Sequence, residues 1–224
     1  MDSSGSVRHN YGDQKNFVKQ MIASYKLDSE SPVAGVVSFS HEAVHNIRLK
    51  DFKMKDLASF NNAVDDIPYL GKTSQIDKAL KIARDELFTS ENGARDNIPK
   101  VLFIIIDGTQ TSDTDSEDPD LIADQLRETG ILTFVVGVGY ELTPAVLDRL
   151  AGGRNETVFY VSRFEGLNET LIDDMVARTC ELVDGNFCTS SACLSTYGLQ
   201  ASSFKDYCTF ILDSFKRNYF AKCL

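Results

Sequence analysis

Two segments of the chain, residues 100–106 (KVLFIII) and 131–138 (ILTFVVGV), are almost continuously apolar and rich in β-branched and aromatic side chains. A strand with one face in water alternates apolar and polar residues; a strand without alternation must be covered on both faces. That requirement confines the chain to folds in which helices lie on either side of a sheet. Residues 32–40 (PVAGVVSFS) and 157–161 (TVFYV) read as further strands. Between the strands, apolar residues recur at helical spacing. The sets are Phe17, Val18, Met21, Ile22 and Tyr25; Ile76, Leu80, Ile82, Ala83 and Leu87; Leu121, Ile122, Gln125 and Leu126; and Leu167, Leu171, Ile172, Met175 and Val176. Strand–helix alternation of this kind predicts an α/β protein with a doubly wound, mostly parallel sheet and helices on both faces.

With 224 residues, 42% of them hydrophobic, the chain can build one well-cored domain and a small appendage. The pattern changes near residue 184: residues 184–224 are rich in Ser, Phe, Tyr and Cys and show no clear alternation. The expected organisation is a domain over 1–183, followed by a cysteine-containing tail or the start of a second small module over 184–224. The 33 acidic against 23 basic side chains leave a net charge of −10, which argues against a nucleic-acid partner, since phosphate binding needs a basic surface. No apolar run approaches the roughly 20 residues of a membrane span, and the opening MDSSGS has no signal-peptide pattern.

In open α/β sheets, ligands sit beyond the C-terminal ends of the strands. Three segments fall at such places: Asp2-Ser3-Ser4-Gly5-Ser6, Gly71-Lys72-Thr73-Ser74, and Asp107-Gly108. Together they offer two carboxylates and several hydroxyls, all oxygen donors. Hard cations, Mg²⁺ or alternatively Ca²⁺ or Mn²⁺, prefer such a set, whereas zinc or copper favours His or Cys. Only two of the donors are charged, so a bound cation stays electrophilic enough to accept one more anionic oxygen, such as a partner's carboxylate.

These segments, with VVSFSHEAVHNIRL, LGKTSQIDKAL, VLFIIIDG, GILTFVVGVG, VLDRLAGG and a last helix ending at Cys180, make the chain resemble the von Willebrand factor type A domain, in its extracellular-matrix form. The resemblance spans residues 2–183. It implies a Rossmann-like sheet with a metal-ion-dependent adhesion site at its top. Carried over residue by residue, it implies Asp2, Ser4 and Ser6 as the D-x-S-x-S ligands and Asp107 as the second aspartate. For the intervening hydroxyl, counting back from Ala79-Leu80 gives Ser74, and reading forward from Gly71 gives Thr73. The function implied is a metal-dependent adhesion module, not an enzyme, whose partner is a collagen or another matrix protein presenting an acidic residue. The alternative is a structural matrix module that assembles without metal.

Other motifs compete less well. His41-Glu42-Ala43-Val44-His45 spells the zinc-protease signature H-E-x-x-H, which requires a helix to bring both histidines to one metal. Here it follows a strand-like run, where residues four apart are separated by about 13 Å; a hairpin carrying two exposed histidines is expected instead. Gly137-Val138-Gly139 lacks the rest of a dinucleotide fingerprint. The acidic stretch 113–120 has Asp118 where a calcium loop needs glycine, and reads as a solvated loop near the site.

Asn155-Glu156-Thr157 and Asn168-Glu169-Thr170 are glycosylation sequons, with acceptors Asn155 and Asn168. With Cys180, Cys188, Cys193, Cys208 and Cys223 as disulfide candidates, they point to a secreted protein of the extracellular matrix. The D-x-S-x-S motif ordinarily follows a central apolar strand, but only Met1 precedes it here. The expectation is therefore an incomplete piece of a longer protein. In matrix-type members of the resembled family, the cysteine ending the last helix pairs with one ahead of the first strand. For Cys180 that implies a partner upstream of Met1, leaving four cysteines to pair within the tail.

Overall fold

The computed structural model describes residues 1–25, 33–52, 57–96 and 98–187. The tail's Cys188, Cys193, Cys208 and Cys223, and the side chain of Cys180, lie outside the described residues. The chain divides into two units, Met1–Ile172 and Asp173–Leu224.

The first unit is built on five strands. β1 (Val36–Phe39) and β2 (Ala43–Ile47) form an antiparallel hairpin, with Phe39 opposite Ala43. β3 (Val101–Ile106), β4 (Leu132–Val138) and β5 (Val158–Val161) form a parallel sheet in the order β3-β4-β5. β3 and β4 register from Val101↔Leu132 to Ile106↔Gly137. Met1–Ser3 lies between the hairpin and the parallel sheet. The Asp2 N–H donates to the Ile105 carbonyl at 3.2 Å, the Ser3 N–H to the Phe39 carbonyl at 2.7 Å, and the Phe39 N–H to the Met1 carbonyl at 3.2 Å. The strand–helix alternation is as the sequence implies, with the parallel strands at its centre.

Alternate residues of β3 and β4 face opposite layers, the period-two geometry of a strand. Ile104, Ile106 and Val135 join Phe39, Leu80, Ile122, Leu126 and Leu147 in one continuous buried core. That core is closed by α3 (Ile76–Ile82), α4 (Pro119–Glu128) and α5 (Pro144–Leu150). Gly137 lets α5 approach β4, since a Cβ there would meet Leu147 Cδ1 at 2.6 Å. On the other face, the Phe103 and Phe134 rings stack at 5.2 Å, with Phe159 and Tyr25 against them at 6.1 and 6.3 Å. Tyr25 follows α1 (Tyr11–Ser24), which packs against α2 (Leu57–Asp65). Both faces of the sheet are therefore covered, as the unbroken apolar strands require.

Three differences from the periodicity stand out. α2 holds only two buried anchors, Phe60 and Val64, one turn apart among polar neighbours, and leaves too faint a pattern to read in advance. α5 is short, beginning with Pro144 at its first turn, where proline's fixed φ suits a helix start. The helical set that ends at Leu87 is not one continuous α-helix: α3 stops at Ile82 and Ala83–Leu87 form a π turn. α6 (Glu169–Phe187) spans the boundary between the two units; within it the Thr179 hydroxyl donates to the Met175 carbonyl at 2.8 Å.

Candidate metal centre

The three oxygen-rich segments converge at the C-terminal ends of β1 and β3. Asp2 is fully buried, and its Oδ1 accepts the Ser4 N–H at 2.8 Å. The hydroxyls of Ser4 and Ser6 lie 3.0 Å apart, and the Ser6 hydroxyl donates to Asp107 Oδ1 at 2.7 Å. Either hydroxyl can donate across the first gap, and the Ser4 side chain also bonds the Asp2 carboxylate. The Ser74 hydroxyl donates to Asp2 Oδ2 at 3.4 Å, which joins the third segment to the first. Ser74 is buried and Thr73 is exposed. Of the two candidate hydroxyls, the one at 74 turns into the cluster.

Backbone bonds hold these segments in place. The Gly5 N–H donates to the Lys72 carbonyl at 2.7 Å and the Gly71 N–H to the Ser3 carbonyl at 2.8 Å. The Leu70 N–H donates to the Ser3 hydroxyl at 2.8 Å. Gly71 and Lys72 both take positive φ, 70° and 68°. That conformation suits glycine and is uncommon for lysine; it is what turns the chain from the Lys72 carbonyl to the buried Ser74.

The electrostatics test whether a cation fits. Burial raises the Asp2 carboxyl above its ordinary value, against the opposing bonds from Ser4. Burial, with the Asp2 charge added, pushes Asp107 up to about 6 despite the Ser6 bond. Among the described residues, no Lys, Arg or His forms an ion pair with either carboxylate. Two carboxylates crowded by hydroxyls, with no basic side chain to neutralise them, are the environment that a divalent cation with oxygen ligands satisfies. Asp2, Ser4, Ser6, Ser74 and Asp107 fit such an ion.

The rim holds features the motifs did not reveal. Lys72 Nζ donates to His41 Nε2 at 3.0 Å, and Lys78 Nζ to the His41 carbonyl at 2.8 Å. His41 belongs to the turn of the β1–β2 hairpin and His45 to β2, so H-E-x-x-H lies on a hairpin and not on a helix. The expectation of two exposed histidines needs correction, however. The His45 side chain is only 7% exposed, with Nδ1 3.4 Å from Glu86 Oε2, because α3 and the turn after it cover that face of the hairpin. Among the described residues, no three His, Cys, Asp or Glu side chains cluster as a metal site. The acidic loop is mostly exposed, as expected, and Asp113 in it accepts from Gln75 Nε2 at 2.8 Å and lies 3.9 Å from Lys78 Nζ. Asn155 and Asn168 are both exposed, and Asn168 Oδ1 caps α6 by accepting the Leu171 N–H at 3.2 Å.

The family model described as the von Willebrand factor type A domain matches residues 1–173. The chain belongs to that family. It is 33% identical over 186 residues to the collagen alpha-6(VI) chain of Mus musculus, covering 80% of this chain and 8% of that one. It is 29% identical over 170 residues to matrilin-1 of Gallus gallus, covering 75% of this chain and 33% of that protein. With bovine (Bos taurus) cochlin the identity is 34% over 125 residues, or 56% of this chain and 22% of cochlin. The chain thus spans a third or less of the length of these relatives. Among solved structures, proximal thread matrix protein 1 from the mussel byssus superposes with a TM-score of 0.73 at 23% identity, covering 80% of this chain and 46% of that one. Another structure of the same protein, with a zinc-occupied MIDAS motif, gives 0.71. Manganese-loaded TRAP of Plasmodium vivax gives 0.59 at 18% identity, over 75% of this chain and 68% of that one. At these identities the likeness to the solved structures speaks for the fold alone.

Proposed function

We propose that this type A domain is a metal-ion-dependent protein-binding module of the extracellular matrix. Asp2, Ser4, Ser6, Ser74 and Asp107 hold a divalent cation, Mg²⁺ or alternatively Ca²⁺ or Mn²⁺, and the partner is a collagen or another matrix protein that presents an acidic side chain. The observation that carries this reading is the convergence, from three segments, of three hydroxyls on two carboxylates that no described basic side chain neutralises. A divalent cation supplies the site with a Lewis-acidic position for a partner's carboxylate oxygen. The chain's own residues do the rest: Ser4 and Ser6 align their hydroxyls, and buried Asp2 anchors the centre. Asp107, less buried, stands on the open side. The protein's net charge of −10 repels a free carboxylate, so an acidic partner needs the cation as intermediary.

The similarity to collagen VI, matrilin-1 and cochlin supports an extracellular setting, and the exposed Asn155 and Asn168 are its glycan acceptors. Titration calorimetry with Mg²⁺ tests the metal site, comparing the parent with Asp107→Ala. Binding by the parent and loss of it in the variant is the expected result; equal heats in both would sink the assignment. Partner binding that persists in a chelator would favour a structural module that assembles without metal.

A further inference from the structure

The five candidate ligands come from three segments, and the contacts between those segments form a triangle. Direct bonds close two of its sides: Ser74 to Asp2, and Ser6 to Asp107. Among the described residues no hydrogen bond joins Ser74 directly to Asp107, and the third side is closed away from the ligands. The Thr111 N–H donates to the Ser74 carbonyl at 2.7 Å, and the Ser74 N–H to the Thr111 hydroxyl at 3.3 Å. One residue before Thr111, the Gln110 amide makes three bonds. Its Oε1 accepts the Ile76 and Asp77 N–H groups at 2.5 and 3.2 Å, and its Nε2 donates to Asp77 Oδ1 at 2.6 Å. Asp77 is fully buried, and its Oδ2 accepts the Glu117 N–H at 3.2 Å and lies 3.4 Å from Lys81 Nζ.

This arrangement satisfies two N–H groups in the first turn of α3, which have no partner within the helix, with a side chain from the opposite loop. It also commits a buried carboxylate to that side chain. A buried charge held by several bonds cannot shift without leaving some of them unmade, which makes the lock stiff. Because Gln110 follows Asp107 by three residues and Asp77 follows Ser74 by three, the lock sets how far apart those two ligands stand.

We propose that Gln110 and Asp77 are positioning residues that fix the Ser74–Asp107 side of the site and thereby make it select a small cation over a large one. The inference rests on the metal-site reading above. Mg²⁺ demands near-ideal octahedral geometry at short distances, whereas Ca²⁺ accepts more numerous ligands at longer and more variable ones. A site released on one side therefore loses Mg²⁺ more than Ca²⁺.

The test is calorimetric titration of the metal-stripped chain with Mg²⁺ and, separately, with Ca²⁺. Gln110→Met keeps the side-chain length and removes all three bonds. It is expected to lower Mg²⁺ affinity by about tenfold, the lower end of what lost outer partners cost a metal site, and Ca²⁺ affinity by less than about threefold. Gln110→Glu keeps an acceptor for the two N–H groups but places a second carboxylate against Asp77, and is expected to lose selectivity likewise. Adding Asp77→Asn exchanges donor and acceptor across the pair and is expected to restore the parent's Mg²⁺-to-Ca²⁺ ratio. A general loss of stability would weaken both ions alike and would not be repaired by this exchange. A parent that binds neither ion removes the metal site, and the inference with it. A parent that binds, with the ratio unchanged in Gln110→Met and Gln110→Glu, overturns the inference alone. If Gln110→Met does not fold, the other two variants decide: failure of the exchange to restore the ratio overturns the proposal.

Discussion

Replacing Asp107 by Asn is expected to make the metal-free protein more stable at neutral pH while abolishing its response to Mg²⁺. In the native state the Asp107 carboxyl is raised from 3.8 to about 6, chiefly by burial and secondarily by the Asp2 charge. A raised carboxyl binds its proton more tightly when folded. Its charge therefore costs the native state nothing below the unfolded-state value near 4. The cost grows as pH rises through the interval up to about 6, and is complete above it. At about 1.4 kcal/mol per pKa unit, the full penalty would approach about 3 kcal/mol. Asp107 is only partly buried, so solvent screening reduces this to about 1–2 kcal/mol. Asn is isosteric, its Oδ1 can still accept the Ser6 hydroxyl proton, and it brings no charge.

For a domain of this size, such a gain corresponds to about 3–6 °C in Tm. The assay is thermal unfolding of parent and Asp107→Asn in chelator at pH 7.5 and again near pH 4, followed by the same pair in Mg²⁺ at pH 7.5. The variant should unfold at higher temperature in chelator at pH 7.5, and the difference should vanish near pH 4. In Mg²⁺ the order should close or reverse, because only the parent gains from a ligand bound to its native state. A variant no more stable than the parent at pH 7.5 in chelator, or a gain of equal size at both pH values, would refute the claim that Asp107 is a strained anion waiting for a cation.

Ser74→Ala is expected to weaken Mg²⁺ binding by about tenfold or more, and Thr73→Ala by less than about twofold, because Ser74 is buried with its hydroxyl on Asp2 and Thr73 is exposed. Titration of both variants checks it, and the reverse ranking would move the ligand to 73. In the core, Gly137→Ala drives a methyl group to within 2.6 Å of Leu147 Cδ1 and 3.2 Å of its Cγ, and should cost about 1–3 kcal/mol. Leu147→Ala alone should cost about 2–5 kcal/mol, and urea unfolding of the double variant should show the glycine change to be nearly free once Leu147 is gone. Simple additivity would mean that α5 does not press on β4 there.

How much of this protein can be read from its sequence depends on the range over which each signal acts. β3 and β4 are legible because coverage on both faces writes itself into consecutive residues. The proposed D-x-S-x-S ligands are legible because a turn ahead of a helix gathers them from one short stretch, and the proposed ligand Asp107 because it stands where an apolar strand stops. α2 was hidden, since two anchors one turn apart make no periodic stripe. The motif at 41–45 shows the opposite failure, in which a local pattern is present and its context cancels it: a hairpin spreads what a helix would gather. Even there, the exposure of His45 could not be foreseen, because α3, from a distant part of the chain, covers the strand. The Gln110–Asp77 pair is the extreme case. Neither residue belongs to a motif, they lie 33 residues apart, and hydrogen bonding between two polar side chains imposes no period on the sequence. The residues proposed to touch a cation stand in short sequence motifs, while those proposed to decide which cation fits emerge only when α3 and the loop after β3 are brought together.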